Sequence, residues 1–274
     1  MVFRSHCECR ETLEPIGRLS IKIFGVAIFT PAAREWLRGE LISAAQKDQN
    51  LCGAAHTGSG ASGRLDRWSD IDLALCLKPD ASHERVVAAW TELLYRHHAV
   101  AHLDIMRGPT LFRVFLLEHT LQVDVAFWRA EDFAAIGPNF LLVFGQAGPP
   151  HHTPPPDPLS LIGMAWLYAL HVRSSLGRGR ILQAEYMLSG MRNQVSELTA
   201  LRCGVNPHQG RGLDDLPVLE RDVAASHIPR SLEPSELKRA FQSTMRALLE
   251  EVRHVDGEVA SKLSGPLNDV VAVV

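Results

Sequence analysis

The sequence predicts an α+β protein, with a mixed α/β unit built on a twisted sheet followed by an α-helical bundle. Three observations carry this. Short β-like runs interleaved with helical stretches fill the chain to residue 147. Six prolines crowd the eleven residues 148–158. Beyond them, apolar residues recur three and four apart.

The elements follow in order. Residues 1–18 lack clean periodicity, and Ser20 to Val26 alternates like a short strand. Thr30-Pro31 joins an N-cap to a proline at the first helical position. The helix it opens runs to Gln46, with Ala33, Trp36, Leu37, Leu41 and Ala44 along its apolar side. Leu51 to His56 is a short strand that runs into the glycine-rich Gly58-Ser59-Gly60-Ala61-Ser62-Gly63. Ile71 to Leu77 is the next strand, Pro79-Asp80 a turn, and Ser82 to Tyr95 a helix marked by Val86, Val87, Trp90 and Leu94. Three further β-like runs, 101–106, 111–117 and 121–128, are separated by Gly108-Pro109 and Glu118-His119. The expectation is a sheet of four or five strands over residues 19–147.

The proline-rich stretch 148–158 cannot sit in a helix or a central strand, so it reads as a stiff extended linker. Residues 159–265 then form the helical domain. Leu159 to His171 is one helix. A longer one carries the stripe Ile181, Ala184, Leu188, Met191, Val195 and Leu198, and a third spans Ser235 to Val252 behind Ser231, Glu233 and Pro234. No internal repeat appears.

Composition bounds the function. Of 274 residues, 46% are hydrophobic and 22% charged, and the net charge is −3. That balance lacks the basic footprint of a protein that grips long nucleic acid. No run reaches the roughly 18 apolar residues of a membrane-spanning helix; Leu159 to Val172 is broken by Ser160, Gly163 and His171. The first eighteen residues lack the apolar core of a signal peptide, so a cytoplasmic protein is expected. Cys7-Glu8-Cys9 beside His6 lacks the second ligand pair of a zinc site, and all five cysteines read as free thiols.

The chemistry concentrates between Gly58 and Asp72. On a strand, residues two apart share a face, so Asp70 and Asp72 project side by side. Two carboxylates that close repel unless a cation lies between them, and hard oxygen donors suit Mg²⁺ on a phosphate substrate. Upstream, Gly58 lets backbone approach a ligand, and the Ser59 hydroxyl can donate to phosphate oxygen.

Gly58-Ser59, ten intervening residues and Asp70-Ile71-Asp72 resemble the signature of the polymerase-beta-like nucleotidyltransferase superfamily, nearest to the small bacterial enzymes that adenylylate aminoglycosides and related antibiotics. The likeness covers residues 52–75. It implies a third carboxylate on a later strand, a place that Asp124 in Leu121 to Phe127 fits; Asp104 is the competing residue, with looser apolar flanks. By resemblance, Asp70 and Asp72 hold metal, and Asp124 completes a second metal site or acts as general base. Ser59 binds the β- and γ-phosphates. The implied fold is a twisted mixed sheet followed by a helical bundle, the implied cofactors are two Mg²⁺ ions, and the implied substrates are ATP or another NTP and a small hydroxyl-bearing acceptor.

Other residues are weighed beside these. Arg64 and Arg67 lie inside the turn, where a guanidinium could meet triphosphate charge, against the alternative of solvated loop residues. His56 reads as a packed strand-end histidine. Glu185 and Arg192, seven apart on the long helix, are candidate substrate contacts against the alternative of an exposed helical pair. Two other functions use the same motif: transfer to a protein or RNA acceptor, as in toxin–antitoxin pairs, and nucleotide sensing without turnover.

Overall fold

The computed structural model describes residues 20–23, 26–135, 137–151 and 154–273, and their side chains from residue 28 onward. The segment with His6, Cys7 and Cys9 lies outside the described residues. The chain divides into two compact units, with the division falling between residues 153 and 154 in sequence.

The first unit opens with a hairpin of β1 (Ser20–Ile23) and β2 (Val26–Phe29), two strands where the alternation of Ser20 to Val26 predicts one. Helix α1 (Pro31–Lys47) follows, its start capped by Thr30 Oγ1, which accepts from Ala33 N at 3.1 Å. The main sheet has six strands: β3 (Leu51–Thr57), β4 (Ile71–Leu77), β5 (Ala99–Arg107), β6 (Thr110–Leu117), β7 (Gln122–Arg129) and β8 (Phe140–Phe144). The single turn α2 (Gly58–Ala61) and helix α3 (His83–Arg96) complete the unit.

The strand order is β5-β6-β7-β4-β3-β8, with β4 and β7 parallel and all other neighbours antiparallel. This corrects the expectation of four or five strands. The sixth, β8, is the apolar run Phe-Leu-Leu-Val-Phe, which has no alternation to mark it as a strand. Odd-numbered residues of β4 and β7 (Ile71, Leu73, Leu75, Val123, Val125, Phe127) pack with Leu37 and Leu41 of α1 and Val86, Trp90 and Leu94 of α3. Even-numbered residues face the other way, where Ala55, Ala74, Cys76, Ala126, Trp128 and Phe133 form a thinner layer. Asp72 and Asp124 belong to this second face. The fold therefore anchors the sheet on one side and leaves its chemistry on the other.

The proline-rich stretch is tied to neighbouring structure at both ends. Gly148 N bonds Phe133 O at 2.8 Å and His151 N bonds Ala135 O at 2.8 Å. At its far end Pro158 is already the first residue of α4 (Pro158–Gly177), capped by Asp157 Oδ2 on Ser160 N. The second unit continues with α5 (Ile181–Arg202), α6 (Val218–Ser226), α7 (Pro234–Val255) and α8 (Gly257–Ala272). The predicted stripe of α5 is buried from Ala184 to Leu198 against Phe241, Met245, Leu248 and Val252 of α7, and its first member, Ile181, is partly buried. Helical structure continues past residue 265 to Ala272. Gly265-Pro266 reads as a breaker in sequence, yet α8 runs through it.

Candidate metal centre

Strand pairing assembles the carboxylates. In the parallel pair β4–β7, Asp72 stands opposite Asp124, and Asp70 precedes Asp72 by two residues on the same side. One carboxylate oxygen from each of Asp70, Asp72 and Asp124 lies within 4.8 Å of one from each of the others. It is the one such group of three or more potential metal ligands among the described residues. All three residues are half-buried.

The crowding has an electrostatic signature. The Asp124 carboxyl is held above the ordinary carboxylate range, first by burial and also by the neighbouring Asp70. A hydrogen bond from Gln122 Nε2 to Asp124 Oδ1 at 2.9 Å and the charge of Arg107 act in the opposite sense. Burial and like charge thus outweigh the compensation offered by the chain.

The glycine turn abuts the same carboxylates. β3 ends at Thr57, and Gly58 follows with φ +57°, a left-handed conformation that side chains rarely adopt. A Cβ at Gly58 would overlap Asp72 Oδ2, so glycine is needed there twice, for its backbone angle and for the space. The next residue, Ser59, carries a buried hydroxyl with no hydrogen-bond partner among the described residues. A buried hydroxyl left unbonded costs about 1–3 kcal/mol. A ligand oxygen at this position would remove that deficit.

One residue that sequence reasoning missed positions the loop between turn and strand. Arg34 of α1 is only 3% exposed. Its Nη1 donates to Asp66 O at 2.5 Å and to Ser69 O at 3.0 Å. The loop is tied again by Asp66, whose Oδ1 accepts from Trp68 N at 2.8 Å and Ser69 Oγ at 3.0 Å. These bonds hold the backbone immediately before Asp70. No sequence signal marks Arg34, since a charged residue on a helix normally faces solvent. Gln122 was equally silent, although its place two residues before Asp124 put it on the same face.

The remaining candidates have other contacts. Asp104, the rival of Asp124, is neutralised on its own strand pair by two hydrogen bonds from Arg113, each 2.6 Å. Arg64 is exposed and bonds Ser62 Oγ at 3.1 Å and Asn139 Oδ1 at 3.5 Å, while Arg67 lies over the exposed Trp68 ring at 4.3 Å. None of these partners is a triad carboxylate. His56 keeps a buried Nδ1 with no hydrogen-bond partner among the described residues, and burial lowers its pKa. Glu185 and Arg192 pair with each other at 3.6 Å along α5.

Fold and site together define an α+β protein with a three-carboxylate cluster beside a glycine turn, a donor set of hard oxygens that suits a divalent cation such as Mg²⁺. Two solved structures are similar to the chain. One is an aminoglycoside 6-adenyltransferase from Bacillus subtilis, at 10% identity and a TM-score of 0.38, covering 84% of this chain and 95% of that one. The other is a nucleotidyltransferase-like protein from Exiguobacterium sibiricum 255-15, at 10% identity and a TM-score of 0.35, covering 80% and 76% respectively. At these values the likeness assigns no activity. No protein-family model and no curated protein matches the sequence.

Proposed function

We propose that the protein is a nucleotidyltransferase, which moves a nucleoside monophosphate, in the first instance AMP, from an NTP to a hydroxyl of a small molecule and releases pyrophosphate. The observation that carries this reading is the Asp70, Asp72 and Asp124 cluster, whose Asp72 leaves no room for a side chain at Gly58, the residue that leads into an unbonded Ser59 hydroxyl. The three carboxylates would hold divalent metal, Mg²⁺ by the nature of the donors. Bound there, the metal would neutralise triphosphate charge and polarise the attacked phosphate.

The chain's own groups have separable roles. Ser59 Oγ donates to a phosphate oxygen of the triphosphate, and the glycine on its N-terminal side lets that phosphate approach the backbone. Arg34 holds the 66–69 loop so that Asp70 stays in register with Asp72. Gln122 fixes one oxygen of Asp124 and leaves the other for metal or for the acceptor's proton. Arg64 and Arg67 are proposed to turn toward the triphosphate when it binds. For the acceptor, an amino-sugar antibiotic is the chemical class we propose, with Glu185 on α5 as a candidate partner for an ammonium group and Arg192 as the residue that orients it. The catalytic unit would span residues 19–147 and the acceptor-side unit the helices from residue 159 onward, in the cytoplasm.

The test is pyrophosphate release from ATP, GTP, CTP and UTP with Mg²⁺, each against a panel of amino-sugar and lincosamide acceptors. Activity with at least one pair, lost in Asp72→Asn without a fall in metal-free melting temperature, is the expected result. Release that persists undiminished in both Asp70→Asn and Asp72→Asn would sink the reading.

A further inference from the structure

We infer that β5 is the contact strand of a symmetric homodimer, in which a second copy of this chain lays its own β5 antiparallel against it with the two-fold axis at Leu103. β5 is an end strand of the six-stranded sheet. Its eight successive residues from Val100 to Arg107 are all exposed, an unusual state for a strand, since alternate residues face opposite sides. Four of them are large and apolar: Val100 at 53%, Leu103 at 61%, Ile105 at 37% and Met106 at 61% exposure. The devices that normally blunt a sheet edge are nearly missing. No proline or lysine occurs between residues 100 and 107. The irregularity in β5 sits at its start, between Ala99 and Ala101, and leaves 101–107 in unbroken register with β6.

The register of the hairpin decides which groups are offered outward. Gly108-Pro109 is a two-residue turn with Gly108 at φ +58°, which makes Arg107 and Thr110 the hydrogen-bonded pair beside it. Alternation then directs the backbone N–H and C=O of His102, Asp104 and Met106 away from β6. An antiparallel neighbour must pair even-numbered positions with even-numbered ones. If that neighbour is the same strand, an axis at Leu103 sets His102 opposite the partner's Asp104, Ala101 opposite its Ile105, Val100 opposite its Met106, and Leu103 opposite Leu103. An axis at residue 102 or 104 would instead oppose two histidines or two aspartates, and like groups directly opposite destabilise a strand pair. The edge thus sets apolar residues against apolar ones and keeps like polar groups apart in that register.

The geometry has a consequence for the candidate site. Leu103, Val114, Asp124 and Asp72 lie in one row across β5, β6, β7 and β4. Pairing through β5 makes a continuous twelve-stranded sheet with both carboxylate clusters on the same face. Five strand spacings separate one Asp124 from the other, about 24 Å.

Light scattering on the full chain, from micromolar to hundred-micromolar concentration, should give the mass of a dimer. Leu103→Lys or Leu103→Glu alone should raise the dimer dissociation constant at least about tenfold, and mixing the two variants in equal amounts should restore association. Leu103→Cys, treated with diamide, should yield a disulfide joining position 103 of two chains, identified by peptide mass mapping. The mapping distinguishes this link from any made by native thiols, and it needs no destabilising change. A wild-type chain that stays monomeric throughout, or a dimer whose mass is indifferent to Leu103→Lys and whose Leu103→Cys form does not link at that position, overturns the inference.

Discussion

The two units of this protein treat buried carboxylates in opposite ways. In the helical unit, Glu251 is 4% exposed and fully compensated by the chain itself. Arg202 Nε approaches its two oxygens at 3.2 and 2.9 Å, Arg202 Nη2 bonds it at 2.8 Å, and Thr199 Oγ1 donates at 2.7 Å. In the sheet unit, three aspartates crowd together, and the help that Gln122 and Arg107 give Asp124 leaves its carboxyl raised. The difference teaches where each charge is meant to be balanced. Glu251 carries its own cation and needs nothing from solution. The aspartate cluster concentrates negative charge, which under the proposed function a divalent cation would offset.

Disturbing the charge balance should therefore have opposite consequences in the two units. The largest effect is expected on chemistry: Asp72→Asn should lower pyrophosphate release by about a thousandfold or more, equivalent to roughly 4 kcal/mol. Its melting temperature in metal-free buffer should be unchanged or higher, because one repelling charge is gone. Asp72→Asn that unfolds while metal-free wild type does not would break the contrast.

In the helical unit the effect should fall on stability. Arg202→Met strands Glu251 without its cation, and chemical denaturation should report a loss of about 3–5 kcal/mol. Added Mg²⁺ should restore none of it. A loss below 1 kcal/mol would mean that Thr199 alone satisfies Glu251.

His227 sharpens the same point. It is 3% exposed, and neither ring nitrogen has a partner among the described residues. Burial, with Arg192, Arg246 and Arg239 nearby, pushes its pKa down to about 4. The folded ring thus refuses a proton that the unfolded chain accepts below its ordinary value. Stability contributed by this residue is present above that value and lost as pH falls from about 6.5 to about 4, by at most roughly 3 kcal/mol. His227→Phe should flatten the urea midpoint over that range. A slope as steep in the variant as in the wild type would assign the pH dependence elsewhere.

The smallest effect concerns metal and stability together. Mg²⁺ at a hundred times its dissociation constant should stabilise the wild-type sheet unit by about 2.7 kcal/mol, read as a rise in melting temperature that Asp72→Asn does not show. An equal rise in both proteins would place the bound ion away from the aspartates.

How much of this was legible beforehand depended on the range of the interactions. Elements with their own periodicity or caps, such as Thr30-Pro31 at the start of α1 and the stripe from Ala184 to Leu198, could be read because helix capping and amphipathicity act within one or two turns. The strand β8 and the run of α8 through Pro266 could not, because neighbouring strands and helices supply what their local sequence lacks. At the site, Asp70 and Asp72 are two apart where the chain enters β4, so their shared side follows from local extended backbone. Tighter apolar flanks favour Asp124 over Asp104 in sequence, and the structure separates them outright: β6 places Arg113 against Asp104, and β4 places Asp72 against Asp124.

By itself, then, the amino-acid order determined the α+β succession, the proline-rich break and the pairing of a glycine turn with an aspartate-rich strand, all set by contacts a few residues apart. Tertiary structure alone decided that Arg113 takes up Asp104, that Arg34 holds the 66–69 loop from another element, and that β5 ends the sheet with both faces open. Those outcomes rest on strand register and helix packing, which bring together groups that no local rule relates.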